Sequence, residues 1–159
     1  MEQDIVFYAG WLGHYVGDTS QPLHTTIHYD GWVGPNPNGY AVHFEPSPSA
    51  PGLHWKFETS FVAANIKIED VTRHMHPAQR LKDPFQDYLG FLNGSHDRVE
   101  QLYRLDKAKA FDAAGTAEGR QFVAEDLASG AQMLANMWYT AWLESAETEP
   151  NPEQKGEKK

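Results

Sequence analysis

The chain has 159 residues, a formal net charge of -9, 40% hydrophobic and 13% aromatic residues, and no cysteine. That is the size and composition of one globular domain with a substantial core. The charge argues against wrapping a nucleic-acid backbone, which takes Lys and Arg to displace counterions, and no thiolate is present for disulfides or for zinc ligation.

The charge is unevenly placed, because the first Lys or Arg is Lys56. An anionic substrate recruited near residues 14 to 54 would therefore need its positive partner from bound metal. Metal ligands must be His, Asp or Glu. The opening Met-Glu-Gln-Asp lacks the basic region and apolar run of a signal peptide, and no stretch approaches the roughly 18 apolar residues of a membrane span.

In chain order, Ile5, Val6, Phe7, Trp11, Leu12, Tyr15 and Val16 recur at helical spacing and predict a helix from about Glu2 to Val16, with Gly17 and Pro22 bracketing its end. His14 lies near that end and Asp18 at or just beyond it. Four residues apart, the two project from one helix face and suit a shared metal; taken alone, the pair also fits a polar surface face. His24 follows the break that Pro22 helps to enforce.

Residues 25 to 51 are rich in Gly and Pro, which leaves little room for regular structure. Tyr29, Trp32, Tyr40 and Phe44 favour a packed loop that shapes a pocket wall. His28 and His43 have no partner at ligand spacing and read as surface or supporting histidines. From Gly52 to about Ile68 a second helix is expected, with His54 and Glu58 repeating the four-residue spacing. His14, Asp18, His24, His54 and Glu58 are thus five candidate ligands. The run 69 to 83, with His74-Met75-His76-Pro77, reads as a polar linker turn.

Asp83 as N-cap and Pro84 at the first helical position open a helix expected to reach about Leu105. Its stripe Phe85, Leu89, Leu92, His96, Val99 and Tyr103 is read as core-facing, with His96 a satisfied buried histidine. Asn93-Gly94-Ser95 matches a glycosylation sequon in mid-helix and is discounted. Residues 106 to 115 form a loop. Thr116 caps the last helix, expected to reach about Ser145 with Phe122, Leu127, Ala131, Leu134, Trp138 and Trp142 buried and Met133 and Met137 flanking them. This gives one all-α domain over residues 1 to 146, a bundle of about four main helices, and a disordered tail over 147 to 159.

A catalytic zinc takes three His or carboxylate ligands and keeps an open position. His24, His54 and Glu58 meet that count, with two ligands on one helix and one carried in by a loop. His14 and Asp18 are left as an unfinished second set.

The stretch Trp11-Leu12-Gly13-His14-Tyr15-Val16-Gly17-Asp18-Thr19-Ser20-Gln21-Pro22-Leu23-His24 resembles the central signature of the zinc-dependent phospholipase C and S1/P1 nuclease superfamily. His54-Trp55-Lys56-Phe57-Glu58 is similar to that family's final ligand pair. The resemblance implies an all-helical fold with a trinuclear zinc cluster, in which His14 binds one zinc of a close pair, Asp18 bridges that pair, and His24, His54 and Glu58 hold the third. It implies a hydrolase in which metal-activated water attacks phosphorus in line, a secreted or periplasmic setting, and a phosphodiester substrate, nucleic acid or phospholipid, without a stable nucleic-acid complex.

The family's N-terminal Trp and its upstream His and Asp ligands have no counterpart here, so the chain is expected to be a C-terminal portion that holds one zinc better than the other two. An exposed apolar face around Phe7 and Trp11, with a tendency to self-associate, is expected with it. The reading that competes with the hydrolase is a non-catalytic fragment with a single structural zinc; a plain helical domain with incidental histidines is the third.

Overall fold

The computed structural model describes residues 2–42 and 52–147, and within them the chain is all-helical, with isolated β-bridges but no strand. His43, Phe44 and the tail beyond residue 147 lie outside the described residues. Helix α1 spans Glu2–Ser20, and a 3-10 turn follows at Pro22–Thr25. α2 (Leu53–Trp55), a π-helical stretch (Lys56–Phe61) and α3 (Val62–Asn65) run on as one rod, because the residues at each junction keep right-handed helical angles. The short α4 (Ile68–Thr72), then α5 (Pro84–Asp97), α6 (Val99–Lys107) and the long α7 (Ala117–Glu147) complete the order.

Several local signals act as read. The Asp83 side chain accepts the Gln86 N–H at 3.1 Å with Pro84 at the first helical position, and Thr116 Oγ1 accepts the Gly119 N–H at 3.0 Å. α1, however, runs four residues past its expected end. Gly17 does not stop it, since Thr19 Oγ1 bonds back to the Tyr15 carbonyl at 2.8 Å and Ser20 Oγ to that of Gly17 at 2.7 Å. Pro22 does, by forcing the preceding Gln21 to an extended backbone, φ -82° and ψ 110°.

The helix expected over 84 to 105 is two helices that meet at Arg98 (φ -84°, ψ -9°). Arg98 turns inward there. Its guanidinium lies 4.3 Å from the centroid of the Phe122 ring, and its Nε meets the buried carboxylate of Asp126 at 2.5 Å. The break re-aims the stripe, so only Val99 and Tyr103 of the expected set are core, joined by Leu102 and Leu105. Phe85 and Leu89 are exposed. So is His96, whose Nδ1 pairs with the Thr25 carbonyl oxygen at 3.0 Å. The run 69 to 83, read as linker, holds all but the first residue of α4.

The core gathers Leu23 from the 3-10 turn, Leu53, Phe57 and Phe61 from the rod, Leu102, Tyr103 and Leu105 from α6, Phe111 from the following loop, and Phe122 and Val123 from α7. Edge-on ring contacts among Phe57, Phe61 and Phe111 at 5.1 and 5.4 Å lock the rod to that loop. Lys56 adds an ion pair to Asp106 at 2.5 Å and one to Asp112 at 2.8 Å. Of the aromatics in the Gly- and Pro-rich loop, Trp32 and Tyr40 pack as expected, forming with Tyr103 a cluster with centroids 5.0 to 5.5 Å apart, whereas Tyr29 is half exposed.

α7 buries a different face from the one expected. Leu127, Trp138 and Trp142 are exposed, while Gly119, Val123, Ala124, Asp126, Ala128, Gly130 and Thr140 join Phe122 inside. The reason is close approach. A Cβ on Gly119 would meet the Ala110 carbonyl oxygen at 2.4 Å, and one on Gly130 would meet Ser20 at 2.7 Å. Small residues set the α1–α7 crossing, so the largest apolar residues fall elsewhere. On α1 only Val16, Thr19 and Ser20 are buried, whereas Phe7, Tyr8, Trp11 and Tyr15 are each more than half exposed. The apolar face expected there is present.

Candidate metal centre

The C-terminal end of α1, the 3-10 turn and the first turns of the rod bring the five candidate ligands into one continuous line. His14 Nε2 lies 3.3 Å from Asp18 Oδ2, and Asp18 Oδ1 lies 3.5 Å from His24 Nδ1. On its other side, His24 Nε2 is 3.0 Å from His54 Nε2 and 3.3 Å from Glu58 Oε2. His54 Nε2 and Glu58 Oε2 are 2.8 Å apart. Among the described residues, His24, His54 and Glu58 are the group of ligand side chains close enough to hold one ion.

Each ligand is aimed by the backbone around it. The Gln21 side chain accepts the Leu23 N–H at 3.2 Å and so starts the 3-10 turn that carries His24. The Asp18 carbonyl oxygen sits 3.1 Å from His24 Nδ1. With oxygens facing Nδ1, Nε2 is the ring atom turned toward the cluster. On the rod, the Asp30 carboxylate accepts the His54 backbone N–H at 2.8 Å and caps the helix start from a distant loop. Glu58 lies in the π-helical stretch, a widened turn of the kind that recurs at functional sites.

Burial by itself would raise the Glu58 carboxyl. The hydrogen bonds from Gln21 and His54, and the nearby charges of His54 and His24, outweigh it and hold Glu58 below the usual glutamate value. Gln21 Nε2 makes its contact to Glu58 Oε2 at 3.3 Å. The carboxylate is thus kept ionised, the state in which it ligates.

The donor set is one that could hold a metal ion. Two imidazole nitrogens and one carboxylate oxygen at 2.8, 3.0 and 3.3 Å from one another lie at or slightly inside the edge of about 3.3 Å that bonds of about 2.0 Å to a tetrahedral ion imply. Two imidazole lone pairs and a carboxylate facing one point repel unless a proton or a cation sits between them. The Asp18 oxygens beside His24 Nδ1 supply the outer support that metal-bound histidines usually have.

His14 is held only at the edge. Its side chain is 70% exposed, and its ion-pair partner is Asp18. Two further histidines serve elsewhere: His28 stacks on Trp32 at 4.1 Å and accepts the Val33 N–H at 3.1 Å, and the His76 backbone N–H is bound by the Gln132 side chain at 2.7 Å. Sequence reasoning missed two supporting residues. Gln21 lay inside the quoted signature without a role, and nothing in the spacing connects Asp30 to His54 across a loop of more than twenty residues.

Compared with family models, with curated proteins and with solved structures, the chain has no match.

Proposed function

We propose that the chain binds zinc through His24, His54 and Glu58 and works as a phosphodiester hydrolase of the nuclease or phospholipase C type. The observation that carries the reading is the convergence of three ligand atoms within 3.3 Å of one another from two separate parts of the chain. The signature around His14 and Asp18, with its similarity to the zinc-dependent phospholipase C and S1/P1 nuclease superfamily, supplies the substrate class. A zinc ion held there would supply Lewis acidity toward a phosphoryl oxygen and a nucleophile near neutral pH.

The chain's own residues do the remaining work. His24 and His54 each turn a ring Nε2 to the cluster. Gln21 keeps Glu58 in register and ionised. Asp18, shared between His14 and His24 and partly open to solvent, is the carboxylate we assign to take a proton from attacking water. The scarcity of cations on this side of the chain leaves charge neutralisation to the metal.

A second reading, a single structural zinc without turnover, is favoured by one observation: among the described residues no ligand group is completed around His14 and Asp18. One experiment separates the two. After equilibrium dialysis against zinc, hydrolysis of a chromogenic phosphodiester is followed with and without chelator. The hydrolase reading expects turnover that chelator removes and zinc restores. Full zinc loading without turnover leaves the structural reading, and failure of His54→Ala to lower zinc binding sinks both.

A further inference from the structure

Cations are scarce in this chain, yet three of them line one cavity of about 570 Å³ between the end of the rod, α4 and the first turns of α7: Lys67, Arg73 and Arg120. The single carboxylate on its wall, Asp70, is already engaged by the Arg73 guanidinium and by the Lys67 backbone N–H at 3.0 Å. Arg120 is placed differently. Its Nη1 donates to the carbonyl oxygens of Ala114 at 2.6 Å and Gly115 at 3.1 Å. Neutral carbonyls occupy Nη1 without cancelling the charge, so a guanidinium on the cavity wall keeps the cation that phosphate oxygens bind.

The cavity is of the size that holds small organic ligands, roughly 300–1,000 Å³, and is larger than bare phosphate needs. The methyl groups of Ala117 and Ala124 and the amide of Gln121 line part of it, a mixed surface suited to the organic part of a phosphorylated molecule. None of the metal-centre residues lines it.

We propose that this cavity binds the phosphate group of a small phosphorylated organic molecule through Arg120 and Lys67, independently of the metal centre. The test is calorimetric titration of the full chain in chelator at low salt with AMP, glucose 6-phosphate, inorganic phosphate and unphosphorylated adenosine. At least one organic phosphate is expected to bind at one site per chain, more tightly than inorganic phosphate, while adenosine does not bind. Arg120→Met and Lys67→Met are each expected to weaken that binding at least tenfold, and His54→Ala to leave it unchanged. Because Arg120 also ties down a loop, its variant is checked by thermal melting; if it does not fold, the exposed Lys67 carries the result alone. Absence of binding by all three phosphates overturns the proposal, as does unchanged affinity in Lys67→Met or loss of binding in a folded His54→Ala chain.

Discussion

Asp30 holds His54 in place through a hydrogen bond to its backbone N–H at 2.8 Å, and it does so only because residue 52 has no side chain: a Cβ there would lie 2.2 Å from the Asp30 carboxylate oxygens. Gly52 has an ordinary φ of -62°, so the requirement is for space, not for backbone freedom. In Gly52→Ala the Asp30 carboxylate must swing away and release the helix start. Zinc affinity is expected to fall by about 10- to 100-fold, the range for lost support around a metal ligand, with a stability loss of about 1 kcal/mol for the hydrogen bond. Competition titration against a chromogenic chelator and thermal melting check the two effects.

Gln21 joins the 3-10 turn to Glu58. Gln21→Glu keeps the size but sets a second carboxylate against Glu58, which raises the Glu58 pKa by like-charge repulsion. In the parent chain the depressed Glu58 pKa contributes stability above its unfolded value, and that contribution is lost as pH falls through the folded value. The substitution is expected to shrink that contribution and to move the acid limb of zinc binding to higher pH. Zinc binding measured from pH 4 to 8 decides it, and an unmoved limb would mean that Gln21 does not reach Glu58.

The buried carboxylate of Asp126 is pushed up to about 7 by burial, with Arg98 only partly offsetting the rise. The sign follows from proton binding. Between the ordinary value of 3.8 and about 7 the folded chain holds a proton that the unfolded chain has lost. Asp126 therefore costs stability progressively as pH rises through that window, and the loss levels off above it. Urea unfolding of Asp126→Asn is expected to show a weaker decline from pH 4 to 7 than the parent chain; parallel profiles would refute the assignment.

At the α1–α7 crossing, a Cβ on Gly130 would lie 2.7 Å from Ser20 Cβ and Oγ. Alanine would favour the helix by roughly 1 kcal/mol, but the clash sits at the root of the Ser20 side chain, where relief means moving α1. Gly130→Ala is expected to destabilise by about 1–3 kcal/mol and to disturb the helix end that carries Asp18. A rise in melting temperature would show the crossing to be slack.

The neighbourhood of the candidate ligands was legible because its signals are local: His14 with Asp18 and His54 with Glu58 each lie four apart on a helix, and Pro22 marks the turn that carries His24. Caps at Asp83 and Thr116 were legible for the same reason, since a side chain and a backbone N–H three residues apart need no distant partner. The faces of the long helices were not. Periodicity assumes that the largest apolar residues point inward, whereas α7 is pressed against neighbours at Gly119 and Gly130, and Trp138 and Trp142 are left outside. Arg98 breaks a helix that its sequence would continue, because its cation finds Phe122 and Asp126 only once α7 has docked.

By itself the sequence determined an all-helical chain and which side chains have ligand chemistry at helical spacing. The grouping of His24 with His54 and Glu58 was an expectation of ligand count; only the tertiary structure brought the three within 3.3 Å of one another and left His14 at the rim, because that meeting depends on a loop closed by Asp30 and a turn started by Gln21. Contacts between residues far apart in the chain are set by packing, and spacing along the chain carries no record of them.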